Sequence, residues 1–313
     1  MNSNKLINII KSRQTVTQAL RTYLWEHDYV EADVPVLVPT LIPESYIEFF
    51  ETTVTDPQNK TFNAYLTASP EAYLKRLLSL GVNTSIFYLG KAFRNGEPLG
   101  SVHNHEFTLL EWYKLGADYQ SVMDETENMF KYTVQTYAKT HNVDLLFDTS
   151  HAFERISISE ALTRFAPHKY HKNMPVEYFE RVYVEYLEPN MGTRGAPTFL
   201  TDFPTWQSPL AKEENGTAQR FELYFQGIEL VNGWTELTDW QKQEENLKQE
   251  NNERENRGLK KVRIDNGFIH ALQKGLPACA GAAMGVDRLL MVLAREQNLQ
   301  NILPFSTEKL FAP

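Results

Sequence analysis

The stretch Arg220-Phe221-Glu222-Leu223-Tyr224-Phe225-Gln226-Gly227-Ile228-Glu229-Leu230-Val231 leaves the chain few choices. It reads as a tight hairpin turning at Gln226-Gly227, which commits the fold to antiparallel strand pairing at its centre. Two further β-like runs, 86–94 and 105–115, are joined by a Gly- and Pro-containing loop at 95–104 and form a second, longer hairpin. Short β-rich stretches are expected at 46–55, 62–68, 197–203 and 278–285, and the hairpin strands extend over 218–239. Helical spacing appears in 5–26, where Leu6, Ile9, Ile10, Val16, Leu20, Tyr23 and Leu24 form an apolar stripe, and again in 70–80, 118–141, 156–187, 265–274 and 286–295. The segment 241–257, rich in Glu, Gln, Asn, Lys and Arg, predicts a solvated helix face. Strands joined by hairpin-like turns with helices around them predict an α+β fold on an antiparallel sheet. No repeat, low-complexity linker or domain boundary interrupts 1–313, so one domain is expected, with a helical insertion at about 118–190.

Composition narrows the function classes. A 42% apolar share over 313 residues is enough for a large core, and the single cysteine, Cys279, cannot form an internal bridge. The amino terminus has no secretory pattern and no apolar run approaches membrane length, so the expected location is the cytoplasm. A formal charge of −9 argues against DNA or tRNA as a partner, because nucleic-acid binders carry basic surfaces. There is no H-E-x-x-H, no paired cysteines, no G-x-S-x-G and no G-x-x-x-x-G-K-[ST].

Five constellations can carry chemistry. Arg94 shares a strand face with Gly90 and Ala92; this is either a gap through which a ligand can reach the guanidinium or an exposed arginine in an ordinary salt bridge. Glu111 shares a face with Phe107, Leu109 and Tyr113, and a carboxylate there needs a cation, from a ligand or from the protein. Counting outward from the hairpin turn puts Glu222 opposite Val231, with Glu229 as its diagonal neighbour; the two either hold a divalent cation or remain solvated glutamates. Asn232, Trp234 and Glu236 alternate onto one face, out of step with Glu229, so a shared pocket requires a bulge near Asn232-Gly233. Finally, the small-residue run Ala280-Gly281-Ala282-Ala283-Met284-Gly285 enters a helix bearing Arg288 in its first turn, which suits either a nucleotide or close helix packing.

The order of these signals resembles the three motifs of class II aminoacyl-tRNA synthetases, in the wording of the lysine group. Val34-Pro35 resembles motif 1; Phe93-Arg94-Asn95 with His103-Asn104-His105-Glu106-Phe107 resembles motif 2; Gly285-Val286-Asp287-Arg288 resembles motif 3. The resemblance covers nearly the whole chain. It is closer still to a paralogous group of lysyl-tRNA synthetases that joins (R)-β-lysine to a lysine of translation elongation factor P. This sequence begins almost at the helix before motif 1, so no anticodon-binding domain is expected, and it carries that group's Ser69 and Ala283.

The resemblance implies ATP and magnesium, an aminoacyl-adenylate intermediate, a lysine-type amino acid, elongation factor P as acceptor, and a homodimer. By position it implies that Arg94 holds the substrate carboxylate and α-phosphate, Phe107 stacks on adenine, and Arg288 binds the γ-phosphate. Glu97, His103, Asn104, Glu222 and Gly285 would complete the ATP site, and Glu222 with Glu229 would hold the metal. Ser69, Glu71, Glu111, Tyr113, Asn232, Trp234, Glu236 and Ala283 would line the amino-acid pocket. The motif 2 loop departs from the pattern: Gly96 separates Asn95 from Glu97, Ser101-Val102 replaces an arginine-containing step, and His105 replaces proline. Rival expectations are a ligase or tRNA charger with another acceptor, and an inactive sensor of an amino acid or nucleotide.

Overall fold

The computed structural model describes residues 3–167 and 175–311. Helix α1 (Ser3–Glu26) leads into β1 (Val30–Glu31), β2 (Leu37–Val38), β3 (Glu51–Thr55) and β4 (Thr61–Leu66). Helix α2 (Glu71–Ser79) precedes the long hairpin of β5 (Ile86–Phe93) and β6 (Glu106–Leu115), followed by α3 (Tyr119–His141). Next come β7 (Glu154–Ser157), α4 (Ile158–Phe165), α5 (Val176–Val182), β8 (Thr198–Phe203) and β9 (Glu213–Glu214). The central hairpin is β10 (Thr217–Phe225) and β11 (Ile228–Thr235); then follow α6 (Trp240–Asn256), α7 (Asn266–Gly275), β12 (Cys279–Gly285), α8 (Val286–Leu293) and α9 (Thr307–Phe311).

The main sheet runs β1-β5-β6-β12-β11-β10-β8-β7, with β9 on the flank of β10, while β2-β4-β3 form a small second sheet. Only the outermost pairs, β1 with β5 and β7 with β8, are parallel; the centre is antiparallel, as the two hairpins require. The Gln226-Gly227 turn has both residues at positive φ, 54° and 75°, the backbone of a two-residue hairpin turn. Antiparallel sheet with surrounding helices is the expected α+β class.

Strict alternation gives the sheet two unlike faces. Phe87, Leu89, Leu110, Trp112, Leu223, Val231 and Met284 point to the back, where they form one core with the stripes of α1, α3 and α8. In α1 that stripe is Ile9, Val16, Leu20, Tyr23 and Leu24, whereas Leu6 and Ile10, expected in it, are exposed. The front face carries Glu111, Tyr113, Asn232 and Trp234 and is covered only in part, by α2, α6 and α7.

Two expectations need correction. The stretch 156–187 is not one helix: Ser157 ends a strand that extends the sheet and then caps α4 with Glu160 in a capping box, and 183–187 is a turn of π-helix. Its portion 168–174 lies outside the described residues. Helix α6 is not merely a solvated face, since Gln243, Asn246, Leu247, Asn251 and Arg254 are buried and Arg254 donates to the backbone carbonyls of Glu44 and Ile47. Among the described residues, no helix is long and apolar enough to cross a membrane.

Candidate active site

A cavity of about 190 Å³ opens on the front of the sheet. The ladder dictates what lines it. Tyr88, Glu111, Ala283, Asn232 and Glu222 fall in one cross-strand row, and Ile86, Tyr113, Gly281, Trp234 and Arg220 in the next. On β12 the front positions are Gly281, Ala283 and Gly285, so the middle of the floor has almost no side chains.

The bulge that the sequence requires exists, two residues earlier than expected. Leu223 pairs with Val231 and Tyr224 with Glu229, so Leu230 is the extra residue. That shift brings Glu229 onto the face of Asn232 and Trp234. It also corrects the register: Glu222 lies opposite Asn232, not Val231.

Counting along β6, Phe107 and Glu111 are four residues apart, roughly 13 Å at the usual strand rise. This separates a cationic end from an acidic one. At the cationic end Arg94 follows directly on β5, its N–H bonded to the His105 carbonyl at 2.9 Å, and its guanidinium carbon stands 5.3 Å from the Phe107 ring centre. Arg94 Nε is buried without a hydrogen-bond partner among the described residues, a donor left for a ligand. Arg288 Nε donates to the Val102 carbonyl at 3.1 Å, its Nη1 to Glu229 Oε2 at 3.2 Å, and its Nη2 meets His103 Nε2 at 2.9 Å. Burial and the Arg288 charge hold His103 below its ordinary pKa, so its ring is an acceptor for that arginine. Glu97 Oε2 is 3.8 Å from His103, which brings the displaced glutamate back to the cavity despite the extra Gly96. Asn104 also lines the cavity, but its amide is engaged with the Glu106 carbonyl and the Thr307 N–H.

At the acidic end Glu71, Glu111 and Glu236 are all buried. Glu111 accepts from Ser69 Oγ at 2.7 Å and from Tyr113 Oη at 2.8 Å. Ala283 is its direct cross-strand neighbour, so Ser69 and Ala283 both meet Glu111. Burial, reinforced by the Glu71 charge, pushes the Glu111 carboxyl up to about 8. Lys75, 1% exposed, pairs with Glu71 and lies 2.5 Å from Glu236 Oε2. Burial opposes its charge, yet Glu236 and Glu71 outweigh burial and hold the ammonium above its ordinary pKa. Burial pushes Glu236 up to about 7 even though Lys75 pulls the other way. Two carboxyl groups thus pair with one ammonium, Glu111 lies near enough to feel its charge, and the Trp234 indole N–H is directed at Glu236.

Sixteen of the seventeen residues picked out from the sequence line this one cavity; Glu222 does not. It is buried in an adjoining groove, where Arg220 bonds one carboxylate oxygen at 2.5 Å and Tyr183 and Tyr224 bond the other at 2.5 and 2.6 Å. Gly90 and Ala92 are not part of the cavity either: the Tyr88 phenol folds over Gly90 and donates to the Lys91 carbonyl at 3.0 Å, filling the gap expected for a ligand. Sequence reasoning missed Lys75, Glu44, Asp287 and Glu188. Lys75 had a signal, its i,i+4 spacing from Glu71 on α2. Asp287 accepts from the Thr108 N–H at 2.6 Å and pairs with Arg13, fixing α8 against β6 and α1. Glu188 is pushed up to about 7 by burial and then by Glu222 and Glu229, which marks a concentration of negative charge beside Arg288.

Comparison with known proteins follows the same lines. Residues 1–309 match the family described as tRNA synthetases class II (D, K and N). Proteins named elongation factor P--(R)-beta-lysine ligase are similar over almost their full length. That of Hamiltonella defensa is 33% identical over 98% of this chain and 97% of its own, and that of Pectobacterium atrosepticum is 33% identical over the same shares. That of Histophilus somni is 34% identical over 96% of each chain.

Proposed function

Because the chain belongs to the class II tRNA synthetases of the D, K and N type, we propose that it is the ATP-dependent ligase that joins (R)-β-lysine to a lysine of translation elongation factor P. The observation that carries this reading is the charge imbalance at the acidic end of the cavity, where, among the described residues, Lys75 is the one cation paired with Glu71 and Glu236 and none is paired with Glu111. A substrate with two ammonium groups supplies the missing charge, and Trp234 and Tyr113 offer walls for its methylenes. Its carboxylate then points toward Arg94, whose Nε lacks a partner among the described residues.

In this reading Phe107 stacks on adenine, while Arg288, His103, Glu97, Asn104 and Gly285 border the triphosphate. Glu222 and Glu229 would hold magnesium. The donors are hard carboxylate oxygens in a region of excess negative charge, and Glu222 would have to exchange its bonds to Arg220, Tyr183 and Tyr224 to take up the ion. Magnesium would supply charge neutralisation on the phosphates. The amino acid's carboxylate attacks the α-phosphorus of ATP, pyrophosphate leaves, and Arg94 and Arg288 offset the developing charge. The acceptor amine then displaces AMP from the adenylate.

The same reading makes the protein a cytoplasmic homodimer. Val30, Pro35, Leu37 and Trp25 leave apolar surface exposed around the motif 1 segment, and sedimentation at micromolar concentration tests the association. The function itself is tested by incubating the protein with ATP, magnesium, (R)-β-lysine and purified elongation factor P. A mass gain of one β-lysyl group on the factor is expected; an unmodified factor alongside charged tRNA would contradict it.

A further inference from the structure

The groove that holds Glu222 has a volume of about 710 Å³ and opens between the loop at 43–47, α5, the segment 203–211 and α6. It meets the catalytic cavity at Glu44, Asn232 and Trp234, which line both spaces. Its walls also carry Glu177, Glu180, Glu250 and Glu253. Its two arginines are already engaged: Arg220 by Glu222, and Arg257 by Tyr46, Glu180 and Glu253. A lysine side chain approaching the acyl group is drawn by this surface and a second adenylate is not.

We propose that the acceptor lysine reaches the adenylate through this groove and that Glu44, where groove and cavity join, takes a proton from its ammonium group. The inference rests on the ligase reading above and adds a route and a base to it. Geometry supports Glu44 in three ways. Its backbone is pinned, since buried Arg254 donates to the Glu44 carbonyl at 2.7 Å and Glu250 Oε2 accepts from the Ser45 N–H at 2.7 Å. Its carboxylate, unlike those of Glu71, Glu111, Glu222, Glu229 and Glu236, takes no hydrogen bond or ion pair among the described residues. It also lines the same cavity as Arg94, which in the ligase reading binds the reacting carboxyl group.

The charged groups facing Glu44 are Arg94, Glu71, Glu250 and Arg254. Burial dominates, Arg94 opposes it, and the result is a carboxyl raised to about 7, suited to proton transfer near neutral pH. In the step itself the ammonium gives one proton to Glu44, and the free amine attacks the acyl carbon. As the C–N bond forms, the C–O bond to the phosphate breaks and its electron pair leaves with AMP. The second proton on nitrogen passes to water in the groove, leaving a neutral amide.

Glu44→Gln keeps the size of the side chain and removes the base. Adenylate formed from ATP and (R)-β-lysine is offered two competing acceptors: elongation factor P, whose lysine must lose a proton, and hydroxylamine, which is uncharged near neutral pH and needs no groove. We expect the ratio of factor modification to hydroxamate formation to fall on the order of 100-fold in Glu44→Gln, to recover as pH rises, and to recover in part in Glu44→Asp. A ratio equal to that of the unmodified protein overturns the proposal. Glu177→Lys and Glu253→Lys on the groove wall should raise the KM for the factor several-fold without pH recovery; an unchanged KM removes the groove from the route. Absence of hydroxamate from the unmodified protein would instead sink the activation reading on which the proposal rests.

Discussion

Lys75 Nζ lies 2.5 Å from Glu236 Oε2 and also pairs with Glu71, so one buried ammonium joins the helix α2 to the end of β11 beneath the acidic end of the cavity. Removing one partner of a buried ion pair leaves uncompensated charge, at a cost of about 3–5 kcal/mol. Lys75→Met should therefore lose about that much stability in urea unfolding. A loss under about 1 kcal/mol would mean that the carboxyl groups neutralise one another by taking up protons.

The same crowding sets a pH dependence. Glu111 is raised to about 8 and Glu44 and Glu236 to about 7, from an ordinary 4.5. A carboxyl whose folded pKa is raised contributes stability that is fully present below its unfolded value and is lost as pH rises through the folded value. Without ligand, thermal stability should fall between about pH 5 and pH 8, and saturating (R)-β-lysine should recover much of the loss by supplying cations. A melting temperature that rises across this window would contradict the arrangement.

Glu111→Gln keeps the hydrogen-bonding shape but removes the charge at the point where Ser69, Tyr113 and Ala283 converge. A charged hydrogen bond contributes about 1.5–3 kcal/mol, so the KM for the amino acid in pyrophosphate exchange should rise roughly 10- to 100-fold. The KM for ATP should change little, because the proposed nucleotide end lies at Phe107 and Arg94. Equal rises in both would place Glu111 outside the amino-acid pocket.

Much of this was legible in the sequence, for reasons that can be located. Period-two alternation fixes the faces of Phe107, Leu109, Glu111 and Tyr113 on β6, and no packing event can change that without breaking the ladder. The turn at Gln226-Gly227 was equally local. The bulge was legible only as a requirement, because which residue is left unpaired depends on how β10 also pairs with β8, far away in sequence. The Tyr88 ring over Gly90 is a rotamer choice, invisible to strand counting. Arg254, and the Glu236 contact of Lys75, were hidden for a common reason: charged residues on helices read as solvent-facing until tertiary contacts show partners on other elements.

Gly281 tests the floor of the site. A Cβ there would stand 2.6 Å from Tyr113 Cε1 and 3.1 Å from Glu236 Oε1, so the tyrosine must move and its bond to Glu111 is lost. Gly281→Ala should weaken amino-acid binding at least about 10-fold and lower stability by about 1–3 kcal/mol. Retention of full affinity in an equilibrium binding measurement would show that Tyr113 does not position Glu111.

Amino-acid-dependent exchange of pyrophosphate into ATP, run across (R)-β-lysine, (S)-β-lysine and both α-lysines with Arg288→Ala as control, tests the central claim most directly. The predicted result is exchange that is strongest with (R)-β-lysine and lost in Arg288→Ala. No exchange with any of the four amino acids would contradict adenylate formation in this cavity and leave a binding protein in its place.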